Sequence, residues 1–262
     1  NMKAFISDLD NTMIFSYKKN IGENNIAVEK KGEKEISFMT SYSHNKLEIL
    51  DRDYNFIPLT TRSLEQYRRI NFFKNKKIKI ALLANGGILL ENDKIINNWY
   101  KESLSLIVES LEELKKAKKI LANRNEIYFN IKFVDKLFIF TKSNSIDITL
   151  EILKNTLNLN LVDISNYGEK LYIFPKNLNK GKALERLKNF YKFTETIVAG
   201  DSELDIPMLE KGDISIFPIN LEKRIEKTKR NYVINTENKL FSDEIVDLVE
   251  KFFLNQLKEE KK

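Results

Sequence analysis

The chain has no cysteine and a single histidine among its 262 residues. The first absence excludes disulfides, thiolate metal sites and a cysteine nucleophile. The second excludes a multi-histidine zinc centre built within one chain. Oxygen ligands and a hard cation are what remain for metal chemistry. Also missing is any apolar run approaching the roughly 20 residues needed to span a bilayer, and no basic segment followed by an apolar stretch and a small-residue cleavage site opens the sequence. These absences predict a soluble, cytoplasmic protein with no membrane partner. Hydrophobic residues make up 42% and charged residues 31%, enough for a sizeable core in one domain carrying an insertion, or in two domains.

A net charge of +6 raises the question of nucleic acid, because basic surfaces attract phosphate backbones. The lysines are dispersed and interleaved with glutamate, as in 115–119 and 258–262, which is the pattern of solvated helix faces. No concentrated basic or aromatic patch is present, so a nucleic-acid partner is not expected.

What is present begins at Ser7-Asp8-Leu9-Asp10-Asn11-Thr12, directly after the strand-like Ala4-Phe5-Ile6. On a strand, side chains alternate between faces, so Asp8 and Asp10 reach the same side of its carboxyl end. That end is where open α/β sheets bind ligands. Three further segments end a hydrophobic run or open a helix with polar groups. They are Phe56-Ile57-Pro58-Leu59 into Thr60-Thr61-Arg62, Asn179-Lys180-Gly181-Lys182-Ala183, and Ile197-Val198-Ala199-Gly200 into Asp201-Ser202-Glu203-Leu204-Asp205.

In this order and context the four segments resemble the motifs of the haloacid-dehalogenase-like (HAD) phosphohydrolase superfamily. The resemblance implies an α/β fold, a Rossmann-like HAD core with a parallel sheet, and an inserted α+β cap. The stretch 58–69 with Ala84-Asn85-Gly86-Gly87 is similar to a HAD branch found near tellurium-resistance-type stress genes. The broader likeness is to sucrose-phosphatase-like and mannosyl-phosphoglycerate-phosphatase-like proteins.

Along the chain, residues 26–39 read as a hairpin around Gly32, a flap at about 21–40 bordering the site. Helices are expected over 43–50, where His44 is assigned no catalysis, and over 63–70. A strand over 78–83 runs into Asn85-Gly86-Gly87, where two glycines permit a tight passage. Leu104, Ile107, Val108, Leu111 and Leu114 recur at helical spacing and predict one amphipathic helix over 99–123. Ile127, Phe129, Ile131 and Phe133 alternate with polar residues and predict a strand with one buried face. A strand over 136–141, a helix over 148–157 and strands over 161–164 and 170–174 complete an αββαββ block. Such a block resembles the type II, subclass B cap. The expected division is core 1–88, cap 89–174 and core 175–262, the last part with short strands at 214–217 and 232–234 and a helix over 243–257.

The resemblance assigns roles. Hydrolysis of a phosphate monoester needs an in-line nucleophile, neutralised equatorial oxygens and a proton for the leaving alkoxide. Asp8 is the expected nucleophile, forming an aspartyl-phosphate, and Asp10 the expected acid and base. Two carboxylates facing a phosphate dianion need an intervening cation, so Mg2+ is expected on Asp8, Asp201 and the backbone carbonyl of Asp10. Asp205 and Ser202 are expected behind these ligands. Thr60, Thr61, Lys180 and the backbone N–H at Leu9 are expected to grip the phosphate. Lys176 and Lys182 are the nearest wrong choices for Lys180.

Three departures stand out: Thr61 replaces the usual glycine of the second motif, Leu204 stands where an asparagine is common, and Pro58 lies in an expected buried strand. Arg62 and Arg68 are assigned to a helix surface or a buried ion pair. The expected function is Mg2+-dependent hydrolysis of a small phosphorylated metabolite, such as a sugar phosphate. One alternative is a phosphomannomutase-like transferase, whose cap would hold a bisphosphate through Asn130, Lys132 and Lys142. Another is a non-catalytic HAD-fold binding or regulatory protein, against which stands the presence of Asp8, Asp10, Thr60, Lys180, Asp201 and Asp205. The leaving group and the oligomeric state are not readable.

Overall fold

Strand β1 (Met2–Ser7) is apolar from Ala4 to Ile6 and has neighbours on both edges, as a central parallel strand requires. The computed structural model describes residues 2–226 and 230–259, with side chains described as far as 255. After β1 the chain forms β2 (Phe15–Ser16), the hairpin β3 (Asn25–Lys31) and β4 (Lys34–Thr40), helix α1 (Ser41–Asp53), β5 (Asn55–Pro58) and the short α2 (Leu64–Arg68). Next come β6 (Ile80–Leu83), β7 (Ile88–Glu91), β8 (Lys94–Ile95), α3 (Asn97–Leu106) and α4 (Leu111–Ala122). The block β9 (Lys132–Val134), β10 (Phe138–Lys142), α5 (Ile146–Thr156), β11 (Val162–Tyr167) and β12 (Lys170–Pro175) follows. The chain ends with α6 (Lys180–Tyr191), β13 (Phe193–Ala199), α7 (Ile206–Leu209), β14 (Ile214–Pro218), β15 (Asn231–Ile234) and α8 (Phe241–Glu259).

The central sheet is parallel, in the order β15-β14-β13-β1-β5. Alternation along its strands feeds two cores. Phe5, Phe56, Ile197 and Ile216 pack with Leu47 of α1 and with Ile245 and Val249 of α8. Ala4, Ile6, Ile57 and Val198 pack on the other face with Leu184 and Leu187 of α6 and Met208 of α7. Helices on both faces of a parallel sheet make this the expected α/β architecture.

Pro58 fits its strand because β5 ends the five-strand order. Leu59 N–H donates to the Ser7 carbonyl at 2.8 Å, so the alternate position, Pro58, turns its nitrogen away from β1. One residue later β6 joins through a Leu59–Leu82 bridge.

A second sheet, antiparallel in the order β11-β12-β10-β9, buries Ile139, Leu171 and Ile173 against Leu114, Ala117, Leu121 and Leu153 of α4 and α5. With α4 leading, the order is αββαββ.

Two expected elements differ. The single helix over 99–123 is divided into α3 and α4 by a tight turn at Val108–Ser110. The helical spacing persists, but its apolar residues serve different partners: Trp99 and Ile107 belong to the two cores of the main sheet, whereas Leu114, Ala117 and Leu121 belong to the second sheet. Residues 89–106, expected within the cap, include α3, whose Trp99 indole N–H donates to the Gly86 carbonyl at 2.9 Å and whose Ser103 accepts from Arg186 of α6 at 3.0 Å. The strand expected over 127–133 shrinks to β9. Its alternating residues do pack inward in part, but the Phe129 carbonyl is taken by the Thr141 hydroxyl at 2.7 Å instead of a ladder partner, and Phe133 is exposed.

The turn at Ala84–Gly86 packs closely on α6. Gly86 has φ +92°, and a Cβ there would lie 2.2 Å from the Ala183 Cβ of α6. Only glycine permits both the conformation and the approach.

Candidate active site

The carboxyl ends of β1, β5 and β13 lie side by side in the sheet, which brings together groups far apart in sequence. After β1 the chain folds over itself: the Leu9 carbonyl accepts N–H donors from Thr12, Met13 and Ile14, and Asn11 adopts φ 63°. Leu9 is fully buried, so only its backbone can face a ligand. The loop leaves Asp8 at the floor of a small cleft of about 40 Å3, lined also by Asp10, Thr61, Tyr167, Lys170, Tyr172, Lys180, Asp201 and Leu204. A larger cavity of about 550 Å3 adjoins it, sharing Asn11, Tyr167, Asp201 and Ser202.

Lys180 is the first residue of α6, whose start is set by Asn179 accepting the Lys182 N–H at 2.9 Å. Its ammonium is buried between Asp8, at 2.7 Å, and Asp205, at 2.6 Å. Burial disfavours its charge, but the Asp205 and Asp8 carboxylates outweigh that and hold the pKa above that of an ordinary lysine. The other two lysines are engaged elsewhere, Lys176 with Asp163 at 2.5 Å and Lys182 with Asn177 at 2.5 Å.

Asp205 is spent on support. One oxygen takes Lys180, and the other accepts the N–H groups of Asp201 and Ser202, both at 3.0 Å, and the Ser202 hydroxyl at 3.3 Å. Gly200 makes this possible, since a Cβ there would lie 2.4 Å from the Asp205 Cβ. The Thr12 hydroxyl bridges Asp201 at 3.1 Å and Asp8 at 3.3 Å.

Carboxylate oxygens of Asp8, Asp201 and Asp205 lie within 4.8 Å of one another. Burial and then the neighbouring Asp205 push Asp8 up to about 6. Burial and then Asp8 push Asp201 up to about 9. A cluster of oxygen donors whose negative charge is crowded and desolvated, with one lysine to offset it, fits a hard divalent cation. Since both oxygens of Asp205 are committed, Asp8 and Asp201 are the carboxylates left to ligate it.

Asp10 behaves differently. Burial alone would raise its pKa, but the Arg62 guanidinium grips it with two bonds of 2.8 Å, and the balance is a lowered pKa. Arg62 in turn pairs with Glu29 at 3.0 Å. Glu29 lies on the flap strand β3 at a bulge, its side chain 1% exposed. It is held further by Arg69 at 3.2 Å and by the Ser37 hydroxyl at 2.6 Å. The bulge turns an otherwise solvent-facing position inward, as bulges beside active sites do.

Thr60 is buried and its hydroxyl accepts the Arg62 N–H at 3.1 Å, while Thr61 lines the cleft together with Tyr172. Leu204 lines the cleft and packs on the core. His44 bonds the Phe72 carbonyl at 2.6 Å and takes no part in the cleft. Of the residues expected from sequence, the structure gathers Asp8, Asp10, Thr61, Lys180, Asp201, Ser202 and Asp205 in one place, whereas Thr60 and Leu9 do not line the cleft. Sequence reasoning missed Thr12, four residues after Asp8, and Glu29, whose sequence neighbours Lys30 and Lys31 look like an exposed flap. It also missed Tyr167, Lys170 and Tyr172, which only strand register could have pointed at the cleft.

A family model for haloacid dehalogenase-like hydrolases matches residues 67–241. The chain belongs to this family. A phosphoglycolate phosphatase of Picrophilus torridus is 26% identical over 235 residues, 80% of this chain and 92% of that protein. Among solved structures, the sucrose-phosphatase of Synechocystis, in complex with sucrose and phosphate, shares the fold with a TM-score of 0.66 at 18% identity, covering 96% of this chain and 97% of that one. A HAD subclass IIB sugar phosphatase does so with a TM-score of 0.61 at 13% identity, covering 96% and 99%. The fold is thus that of a HAD core with a subclass IIB cap, and the protein is an enzyme of the hydrolase class. Among the described residues no helix is long and apolar enough to cross a membrane.

Proposed function

We propose that this HAD-family enzyme is a Mg2+-dependent phosphatase of a small phosphorylated metabolite, working through an aspartyl-phosphate on Asp8. The observation that carries the reading is the buried Lys180 clamp, which fixes Asp8 between an ammonium and the Asp201 carboxylate at the sheet's carboxyl end. Phosphatase relatives of this family support it. Residues 1–88 and 175–262 are proposed to form the core and the intervening segment the cap.

Asp8 attacks phosphorus with one carboxylate oxygen as the P–O bond to the alcohol breaks. Asp8, Asp201 and the Asp10 carbonyl would hold Mg2+, which supplies charge neutralisation between the carboxylates and the phosphate oxygens. Lys180, the Thr60 and Thr61 hydroxyls and the Leu9 backbone N–H bind the remaining phosphoryl oxygens. Asp10 gives its proton to the departing alkoxide and then takes one from the water that cleaves the aspartyl-phosphate. The Arg62-bound carboxylate corresponds to the second of these states. A phosphate dianion beside Asp10 disfavours its charged form and prepares the first.

The test is phosphate release from a panel of phosphomonoesters with and without Mg2+, comparing the native chain with Asp8→Asn. Release that needs Mg2+ and vanishes in Asp8→Asn supports the reading. No release from any ester at high enzyme concentration counts against it, and transfer of phosphate to a second alcohol without free phosphate would favour a mutase.

A further inference from the structure

The second sheet roofs the cleft, and its register decides which side chains look down. Partners in a ladder share a face, so Tyr167 of β11, Lys170 of β12 and Lys142 of β10 form one row across three strands. Ser165, Tyr172, Phe140 and Lys132 form the next. Tyr167, Lys170 and Tyr172 line the cleft opposite Asp8 and Asp10, which orients the whole face.

Two features of the first row are unusual. Lys142 stands directly opposite Lys170, and like charges in that relation are destabilising. Among the described residues neither has a carboxylate within ion-pair distance: Lys142 rests over the Phe129 ring at 5.0 Å, and Lys170 acts on the floor only at longer range, through Asp10. The next row adds a third ammonium, Lys132, over the Phe129 ring at 5.2 Å. Tyr167 reaches Asp201 at 3.5 Å, and Asp163 pairs with Lys176. What the roof keeps for a ligand is therefore positive charge.

The floor, with its cation, takes the phosphate, so the roof meets the alcohol portion. Resting on the phosphatase reading, the geometry points to an anionic leaving group: the substrate is a phosphomonoester whose alcohol portion carries its own negative charge, a carboxylate or a second phosphate, read by Lys170 with Lys142 behind it. A neutral sugar would leave two opposed ammoniums without a counter-charge. An anion between them removes the repulsion and gains charge-assisted hydrogen bonds.

Matched esters test this. Phosphoglycolate is compared with 2-hydroxyethyl phosphate, and propane-1,3-diyl bisphosphate with propyl phosphate, using the native chain, Lys170→Gln and Lys170→Arg in Mg2+. The native chain is expected to prefer the charged member of one pair by about tenfold or more in kcat/KM, mainly through KM, and the pair concerned tells carboxylate from phosphate. Lys170→Gln is expected to reduce that ratio about tenfold and Lys170→Arg to keep most of it. Because the readout is a ratio, any general loss of folded enzyme cancels. A native chain that hydrolyses both members of each pair equally overturns the inference and leaves the phosphatase reading standing, as does a preference that survives Lys170→Gln. A native chain that hydrolyses no ester, p-nitrophenyl phosphate included, overturns both.

Discussion

The floor and the roof of the cleft handle charge in opposite ways. On the floor the charged groups interlock: Lys180 lies between Asp8 and Asp205, Asp10 is held by Arg62, and Arg62 by Glu29, while Asp201 is held by the Thr12 hydroxyl. On the roof Lys170 and Lys142 face each other across a ladder without a carboxylate between them. A floor of interlocked charges holds reacting groups in place with little freedom to lose, which suits steps common to any ester. A roof with unspent charge suits the part of the ligand that differs between substrates.

The largest effect expected from breaking the floor is at Lys180. Lys180→Met leaves Asp8 and Asp205 buried beside each other without a counter-charge. Turnover should fall by more than about a hundredfold and the protein should lose about 3 kcal/mol, measured as phosphate release and as the thermal midpoint. A variant as stable as the native chain would show that the clamp is catalytic alone.

Glu29 tests whether the interlocking reaches the flap. Glu29→Gln weakens the hold on Arg62 and hence the aim of Asp10. Alkyl phosphates, whose leaving groups need a proton, should be hydrolysed about tenfold more slowly, whereas p-nitrophenyl phosphate, whose phenolate leaves without one, should change less than about twofold. Equal slowing of both would make Glu29 a purely structural partner.

A third effect is on the pH dependence of the metal-free protein. Asp201, up to about 9 against about 3.9 unfolded, prefers its neutral form when folded. That stability is present at low pH and lost as pH rises through the folded value. The metal-free native chain should therefore lose stability between pH 6 and 9 relative to Asp201→Asn, whose side chain does not titrate, as followed by denaturant midpoints. Adding Mg2+ should stabilise the native chain more at pH 9 than at pH 6, because the cation competes with a proton there. Parallel pH profiles for the two chains would contradict the crowding of Asp201 against Asp8.

The same contrast explains what the sequence reveals. Asp8, Lys180 and Asp201 sit at the ends of strands or the start of a helix, where a few adjacent residues state both the element and the direction of the side chain. The αββαββ order was legible from period alone. Lys170 was not, because a one-residue slip in register would turn it to the opposite face, and Glu29 was hidden by a bulge that reverses its side of β3. The helix over 99–123 misled because periodicity records that a face is apolar and not which body covers it; Ile107 and Leu114 turn out to serve different cores.

The pairing of β1 with β13 also has a consequence for the growing chain. Residues 2–7 find their partners at 193–199, so during synthesis most of the protein emerges before Asp8 can meet Lys180 or Asp201. Until then β1 is a strand with an open edge, an invitation to pair with the wrong neighbour. A ribosome stalled before residue 201 would carry a chain holding half of a floor and no means of closing it.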